Sequence, residues 1–459
     1  MIALVCALAS AIAFFLALGT PNAWPLAWIA PVPLLWLAFS DDSWRRVAIA
    51  SLAGYALGEL GMLWPYVGPI GPRLLVAALA PAIAFALVVL ATRHAARRLP
   101  TLAATLVFPA LWTGAEWLSA TLSPHGTFGA WAYSQISAPV LIQSASLFGL
   151  WIVSFLVAYV AAGIALALRR LTLTPIVLPL TLALTNAAFG AWRLHTPEGA
   201  TLRVAAAARD HDDARSAESV ARDEAAEARR LASQGARAVV FDEKAARLPV
   251  EHRDSVLGSL VAASREAHAR IVAGFDETGP ARRNAAYTIG EDGRVSTYIK
   301  RHHIPGLESG YTIGEGPGLL GAGESVAICK DMDFQSTLRR DAAVGALGLM
   351  FVPAWDFHRD GWLHARMAVM RGVEGGYAIV RAAANGLVTV SDARGRLLAS
   401  RPSGATTYSS VVVDVPRGSG PTTYVRIGDV FAWLSGLCGL GLVAWSAAAS
   451  WRTRGREAH

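Results

Sequence analysis

Hydrophobic residues follow two different rhythms along this chain. Near positions 1–19, 24–40, 46–65, 73–92, 102–121, 140–168 and 174–193, and again near 427–450, they form almost unbroken apolar runs. Runs of about 20 residues are long enough to cross a bilayer as helices, so the pattern predicts seven spans, a water-exposed middle, and one closing span. The first run lacks a basic leader, and its "ALGTPNAWP" exit passes straight into more apolar sequence; it is expected to be a retained span. From about 201 to 417 the period shortens. "LRVAAAA", "ARAVVFDEK", "ARIVAGFDE", "RNAAYTIG", "VSTYIK", "SVAICKD", "LGLMFVPAW", "GYAIVRAAA", "GLVTVSD" and "YSSVVVDV" read as strands, many too apolar to have a wet face. Residues 216–234 and 361–375 have helix-forming composition, and "EDGRV" and "DARGR" supply hairpin turns. The expected organisation is an N-terminal transmembrane bundle over 1–197, a layered α/β sandwich over 198–420, and a C-terminal span with a basic tail over 425–459.

Composition changes this picture little. The chain is 54% hydrophobic and 16% charged, as expected for an average over lipid and water. The formal charge of +7 does not point to nucleic acid, because arginines outside the middle cluster in the gaps between spans. Arg45 and Arg46 follow the second span, Arg93, Arg97 and Arg98 the fourth, Arg169 and Arg170 the sixth, and Arg452, Arg454 and Arg456 the last; Arg73 is the main exception. With a cytoplasmic N-terminus, the positive-inside rule puts all of these gaps in the cytoplasm and the middle domain on the outer side. Trp24, Trp28, Trp64, Trp192 and Trp451 near run ends fit interfacial anchoring. Glu59 and Glu116 lie inside spans, where a carboxylate must face protein, a wet cavity or a polar partner.

Three cysteines, two of them in apolar runs, make no disulfide framework and leave Cys329 as the only thiol open to water-side chemistry. It is either reactive or a small buried filler. Glu243, Lys300 and Cys329 each end a strand-like run, where a sandwich presents functional side chains. A thiol titrating near 8.5 needs a base or positive charge to act as a nucleophile at neutral pH, which a glutamate and a lysine would supply. His302 and His303, just after Lys300, offer a histidine-assisted cysteine instead, or a metal site with Asp331 or Asp333; neither has a strong ligand pattern, and no metal or cofactor is expected. "GEGPG" at 314–318 lacks the strand-to-helix setting of a phosphate cradle.

The order Glu243, Lys300, Cys329 resembles the catalytic triad of the carbon–nitrogen hydrolase, or nitrilase, superfamily. "NAWPLAWIAPVPLLWLAF" (22–39), "PALWTGAEWLSATL" (109–122), "GAWAYSQ" (129–135) and "GWLHARMAVMRGVEGGYAIVRAAANGLVTVSDARGRL" (361–397) are similar to segments of the apolipoprotein N-acyltransferase family. So is the order of seven spans, nitrilase-like α-β-β-α domain and closing span. The resemblance implies a multi-pass protein of the bacterial inner membrane with its catalytic domain on the periplasmic side. It implies ping-pong acyl transfer from a phospholipid, through a thioester on Cys329, to the diacylglyceryl cysteine at a lipoprotein N-terminus. Glu243 would be the general base, Lys300 and the backbone N–H of Lys330 would hold the oxyanion, and Glu308 and Asp331 would support the site. A membrane-tethered amidase, an acyltransferase with another amine acceptor, or a catalytically silent binding module are the alternatives.

The chain departs from that family in three places. Lys330 and Asp331 stand where tyrosine and glutamate usually follow the cysteine, and Phe241 and Asp242 stand where tryptophan and proline usually precede the base. The interval from Lys300 to Cys329 is short for the family, which predicts a trimmed arm over the lipid entrance. These differences bear on the acceptor rather than on the triad.

Overall fold

Alternation of small apolar side chains along one strand accounts for the architecture of the middle of the chain. In β1 (Thr201–Ala208), Ala205 and Ala207 pack on one side among residues of the helices Ala217–Ser233 and Arg253–Ala267, whereas Val204, Ala206 and Ala208 pack on the other against a second sheet. Successive strand residues point to opposite faces, so a strand buried on both sides reads as a continuous apolar run. The computed structural model describes residues 1–196, 199–211 and 214–457. Its remaining strands are β2 (Ala238–Val240), β3 (Arg247–Pro249), β4 (Arg270–Thr278), β5 (Arg283–Ile289), β6 (Val295–Ile299), β7 (Leu319–Gly321), β8 (Glu324–Val326), β9 (Leu349–Trp355), β10 (Ala378–Ala384), β11 (Leu387–Ser391), β12 (Leu397–Pro402) and β13 (Ser409–Pro416).

One sheet runs in the order β13-β1-β2-β4-β5-β6, with β3 on β4; the other runs β12-β11-β10-β9-β8-β7. The inter-sheet core joins Val204, Val240 and Val272 to Phe351, Val380 and Val390, and a third core packs Met350, Val352 and Ile379 against helices Gln335–Gly345 and Gly361–Gly375. The result is a four-layer α-β-β-α sandwich. Helices Arg253–Ala267 and Gln335–Gly345 and strands β3, β7 and β12 escape the apolar pattern because they are short or mostly polar on their outer side. Contacts within the chain divide it into two units, one of residues 196–426 with 124–126, the other of residues 1–123, 127–195 and 427–459. The expected boundary at 197/198 and the last two residues of the expected basic tail lie outside the described residues.

Among the described residues, five helices of the other unit are long and apolar enough to cross a membrane: Trp44–Tyr66, Leu74–Ala96, Leu150–Arg170, Thr174–His195 and Val430–Ala449. The count of about eight expected spans is not reproduced on this measure. The first run is a 17-residue helix, Ile2–Leu18. The run at 24–40 breaks into a 3-10 turn, Trp24–Trp28, and a short helix, Val32–Ser40, because Pro25, Pro31 and Pro33 cannot sit in a helix interior. The run at 140–168 is interrupted at Gly149, whose φ of +73° favours glycine. Helix Thr101–Leu122 has the length, but Glu116 and its polar neighbours dilute its apolar character.

Small residues let these helices approach closely. An added Cβ on Gly58 would lie 2.4 Å from the Phe14 side chain, and one on Gly114 would lie 2.7 Å from the backbone of Gly436. Arginines of three separate gaps converge on residues 39–42: Arg93 donates to the carbonyls of Asp41 and Asp42 (3.1 and 2.7 Å), Arg97 to Asp41 (3.0 Å), Arg169 to Phe39 (3.2 Å), and Arg46 pairs with the Asp41 carboxylate (2.7 Å). The gaps after the second, fourth and sixth runs therefore lie at one end of this unit. Of the tryptophans expected at interfaces, Trp192 is exposed, whereas the Trp28 indole donates inward to Gln135 (2.9 Å); the side chain of Trp451 lies outside the described residues.

The two acids inside the runs are both buried, with an aromatic cluster of Phe14, Tyr55, Phe85, Trp112 and Trp131 around them. Glu116 accepts the backbone N–H of Trp131 at 2.9 Å, and Ser154 accepts that of Ala132 at 3.1 Å, at the start of the 3-10 segment Trp131–Ser137. Helix starts leave N–H groups without internal partners, and in a low-dielectric interior side chains must satisfy them. Glu116→Ala is expected to destabilise the protein by about 1–3 kcal/mol, the cost of an orphaned buried donor, while Glu116→Gln keeps an acceptor and loses less. Thermal unfolding in detergent compares the two.

Candidate active site

Four chain segments deliver the chemistry to one end of the sandwich. Glu243 lies in the loop after β2, Lys300 directly after β6, and Cys329 three residues beyond the end of β8 in the second sheet. Glu308 comes from the arm between β6 and β7. All four are buried, Lys300 and Glu308 completely. Cys329 opens the 3-10 segment Cys329–Asp333 with φ +42°, a left-handed conformation that a non-glycine residue adopts at a cost. Its Sγ–H donates to the Trp355 carbonyl at 3.5 Å, at the end of the neighbouring strand β9.

Lys300 is the hub. Its Nζ donates to Glu243 Oε1 at 2.8 Å and to both Glu308 oxygens at 3.1 and 2.9 Å. Two groups not foreseen from the sequence complete the network. The Asn284 amide donates to Glu243 at 2.5 Å and to Glu308 at 2.9 Å, and Lys244 Nζ donates to Glu308 at 3.2 Å. Lys244 also sits over the rings of Trp355 (4.6 Å) and Tyr311 (5.4 Å). Asn284 is a fully buried amide in strand β5, the one clue the sequence carried. Nothing local marked Lys244.

The electrostatics follow from burial and pairing. Burial works against the Lys300 charge, but Glu243, Cys329 and Glu308 together hold its pKa above the ordinary lysine value. Burial likewise disfavours the Glu308 carboxylate, yet Lys300 and Lys244 pull its pKa down to about 2. The thiol of Cys329 is pushed well up, first by burial and then by the Glu243 charge, with Lys300 opposing. In the resting site Cys329 is thus a protonated thiol beside a carboxylate and an ammonium.

The residues after the cysteine are engaged structurally. Asp331 accepts from Tyr298 Oη (2.7 Å), from the backbone N–H groups of Ile328 (3.0 Å) and His302 (2.9 Å), and pairs with His302 Nδ1 (2.9 Å). It ties the end of the Lys300 strand to the cysteine turn. Burial opposes its charge, but His302, Tyr298 and the Ile328 N–H keep its pKa below the usual range. Lys330 is buried, its Nζ donating to Asp333 at 2.9 Å and lying 3.4 Å from His125 Nδ1, so the short segment 124–126 docks beside the cysteine turn. The rival histidines are placed otherwise. His302 spends Nδ1 on Asp331, lies 3.4 Å from Thr337 through Nε2, and stacks on Phe334 at 3.8 Å, while His303 packs edge-on against Tyr311. Upstream of the base, Phe241 packs in the helix-side core, and Asp242 is buried with its pKa raised to about 7 by desolvation.

Comparisons with known proteins cover both units. Residues 10–163 match the model of the apolipoprotein N-acyltransferase N-terminal domain. An apolipoprotein N-acyltransferase of Geobacter metallireducens is 27% identical, over 93% of this chain and 92% of its own, and one of Brucella melitensis is 28% identical, over 62% of this chain and 63% of its own. Among solved structures, an amidase from Nesterenkonia sp. aligns with 51% of this chain and 95% of its own at 22% identity and a TM-score of 0.40. The chain combines apolar helices long enough to cross a membrane with an α-β-β-α domain carrying a buried acid, lysine and cysteine. Over most of its length the chain is thus similar to apolipoprotein N-acyltransferases, and its residues 10–163 match that family's N-terminal domain.

Because the thiol's pKa is raised, its alkylation by iodoacetamide is expected to accelerate only as the pH climbs past the ordinary thiol range. Glu243→Gln removes a negative neighbour and should move the midpoint of the pH–rate profile downward; Lys300→Met removes a positive one and should move it upward. Intact-mass kinetics at Cys329 read both shifts.

Proposed function

We propose that this N-acyltransferase takes its acyl group from a phospholipid and passes it, through a thioester on Cys329, to the α-amine of a diacylglyceryl cysteine at a lipoprotein N-terminus. The observation that carries the proposal is the convergence of Glu243, Lys300 and Cys329, buried and electrostatically coupled, on a strained turn. Glu243 takes the thiol proton as sulfur attacks the ester carbonyl. Negative charge on the tetrahedral oxygen is stabilised by Lys300 and by the backbone N–H of Lys330 in the first turn of the 3-10 segment. The C–O bond breaks and the lysophospholipid alcohol leaves with the proton held by Glu243. In the second half the neutral amine attacks the thioester, a C–N bond forms, the C–S bond breaks, and Glu243 relays the amine proton to the departing thiolate.

Glu308 and Lys244 serve this cycle by keeping Lys300 charged and fixed. Both substrates are lipids, which gives a reason for one chain to carry an α/β enzyme and apolar helices together. Convergence of the arginine-rich gaps at one end of the helical unit supports a cytoplasmic face there and, with it, a catalytic domain on the outer, periplasmic side of the inner membrane.

Incubated with phospholipid, the purified protein should gain one acyl mass on Cys329, and Cys329→Ala should gain none. Glu243→Ala and Lys300→Ala should each cut adduct formation by about 100-fold or more. Adding a diacylated lipopeptide should discharge the adduct onto the peptide amine. Discharge as free fatty acid instead would identify a hydrolase, and absence of any adduct would overturn thioester chemistry altogether.

A further inference from the structure

His211 follows β1 by three residues and has no place in the catalytic scheme above, yet it touches both halves of it. Its ring stacks on the Trp355 indole, centroids 4.3 Å apart and planes within 8°. Its Nε2 lies 2.9 Å from the backbone carbonyl of Glu243, a contact that requires a proton on that nitrogen. Trp355 is the residue whose own carbonyl receives the Cys329 thiol. The strand that ends in Trp355 also meets the base, since the Glu243 N–H donates to the Ala354 carbonyl at 3.2 Å. One imidazole thus links the backbone of the base to the residue that holds the nucleophile, across two different sheets.

The imidazole is itself held. Its backbone N–H donates to Asn385 Oδ1 at 3.0 Å, and the Asn385 N–H donates back to Asp210 Oδ1 at 3.2 Å, clasping the exit of β1 to the exit of β10. Asn385 adopts φ +51°. Trp355, meanwhile, is constrained from its other contacts by the Lys244 ammonium over its ring. Glu243 lies in a loop whose backbone is held on one side by its own N–H on the Ala354 carbonyl, and Lys244 after it is at φ +51°. A donor aimed at the Glu243 carbonyl is what such a loop requires to hold a side chain within the few tenths of an ångström that proton transfer demands.

We propose that His211 is a positioning residue, setting the distance between the Glu243 carboxylate and the Cys329 thiol by bridging the Glu243 carbonyl and the Trp355 ring. The assignment rests on the roles given above to Glu243 and Cys329. His211→Phe keeps an aromatic ring for Trp355 and removes the donor; His211→Gln keeps a donor of similar reach and removes the ring. Asn385→Gly suits the left-handed backbone and loosens the imidazole without touching it.

Two measurements are made on the full-length protein in detergent: the rate of acyl-adduct formation from phospholipid, and the pH midpoint of Cys329 alkylation by iodoacetamide. For His211→Phe, acylation is expected to slow by about 10- to 100-fold, as misplaced catalytic groups do. Its alkylation midpoint should move in the same direction as in Glu243→Gln but by less, because the carboxylate has drawn away from the thiol. His211→Gln should recover most of both, and Asn385→Gly should fall between. Wild-type rate and midpoint in His211→Phe would overturn the proposal, as would equal slowing in the Phe and Gln variants with an unmoved midpoint, the mark of packing alone. Alkylation does not require acyl transfer, so the midpoints judge His211 even if the wild-type protein forms no adduct and the proposed function fails.

Discussion

Everything at the end of the sandwich is arranged around one ammonium group that has been removed from water. A lysine charge buried without partners would cost many kcal/mol and would simply lose its proton. Lys300 keeps it because Glu243 and Glu308 both reach its Nζ, and those carboxylates are in turn bonded by Asn284, Lys244 and the Ile304 N–H. Two ammonium groups and two carboxylates balance. The network is therefore close to all-or-nothing: each member is present because the others would be costly to leave unpaired.

That balance bears on the proposed nucleophile, Cys329. The Glu243 carboxylate that raises the thiol's pKa is the one proposed to take its proton, and Lys300, which opposes the rise, is the one proposed to stabilise the oxyanion. A protonated resting thiol is less open to stray electrophiles than a free thiolate, and ionisation is coupled to attack. Asp331 binds the left-handed turn at Cys329 to the strand end bearing Lys300, so the strain is supported by five hydrogen-bonding groups on one carboxylate. Asp331 is completely buried.

The helical unit solves an unrelated version of the same problem. Glu116 is held in an apolar run by the Trp131 N–H at the start of an irregular segment, where a low-dielectric interior leaves a backbone donor nowhere else to turn. Its proximity to a cluster of aromatic rings is packing; its carboxylate is a cap. Intramembrane acids invite functional readings, and here one of the two has a structural task on the page.

Residue pattern alone determined the two-solvent organisation, the covered α/β layers and the three strand-end groups Glu243, Lys300 and Cys329, because hydrophobic periodicity and strand ends are local properties written into consecutive residues. Helix Gly361–Gly375 and most strands were legible for the same reason. The breaks at Pro31 and Gly149 do not show in the apolar pattern, because those residues act on the backbone rather than on hydropathy. Only the tertiary structure decided that Asn284 and Lys244 join the site, that Lys330 is spent on Asp333, and that His211 lies between Glu243 and Trp355. Apart from the local Lys330–Asp333 pair, these partners are separated by tens to more than a hundred positions, and a contact of that kind is set by which strand lies beside which. No run of neighbouring residues records it.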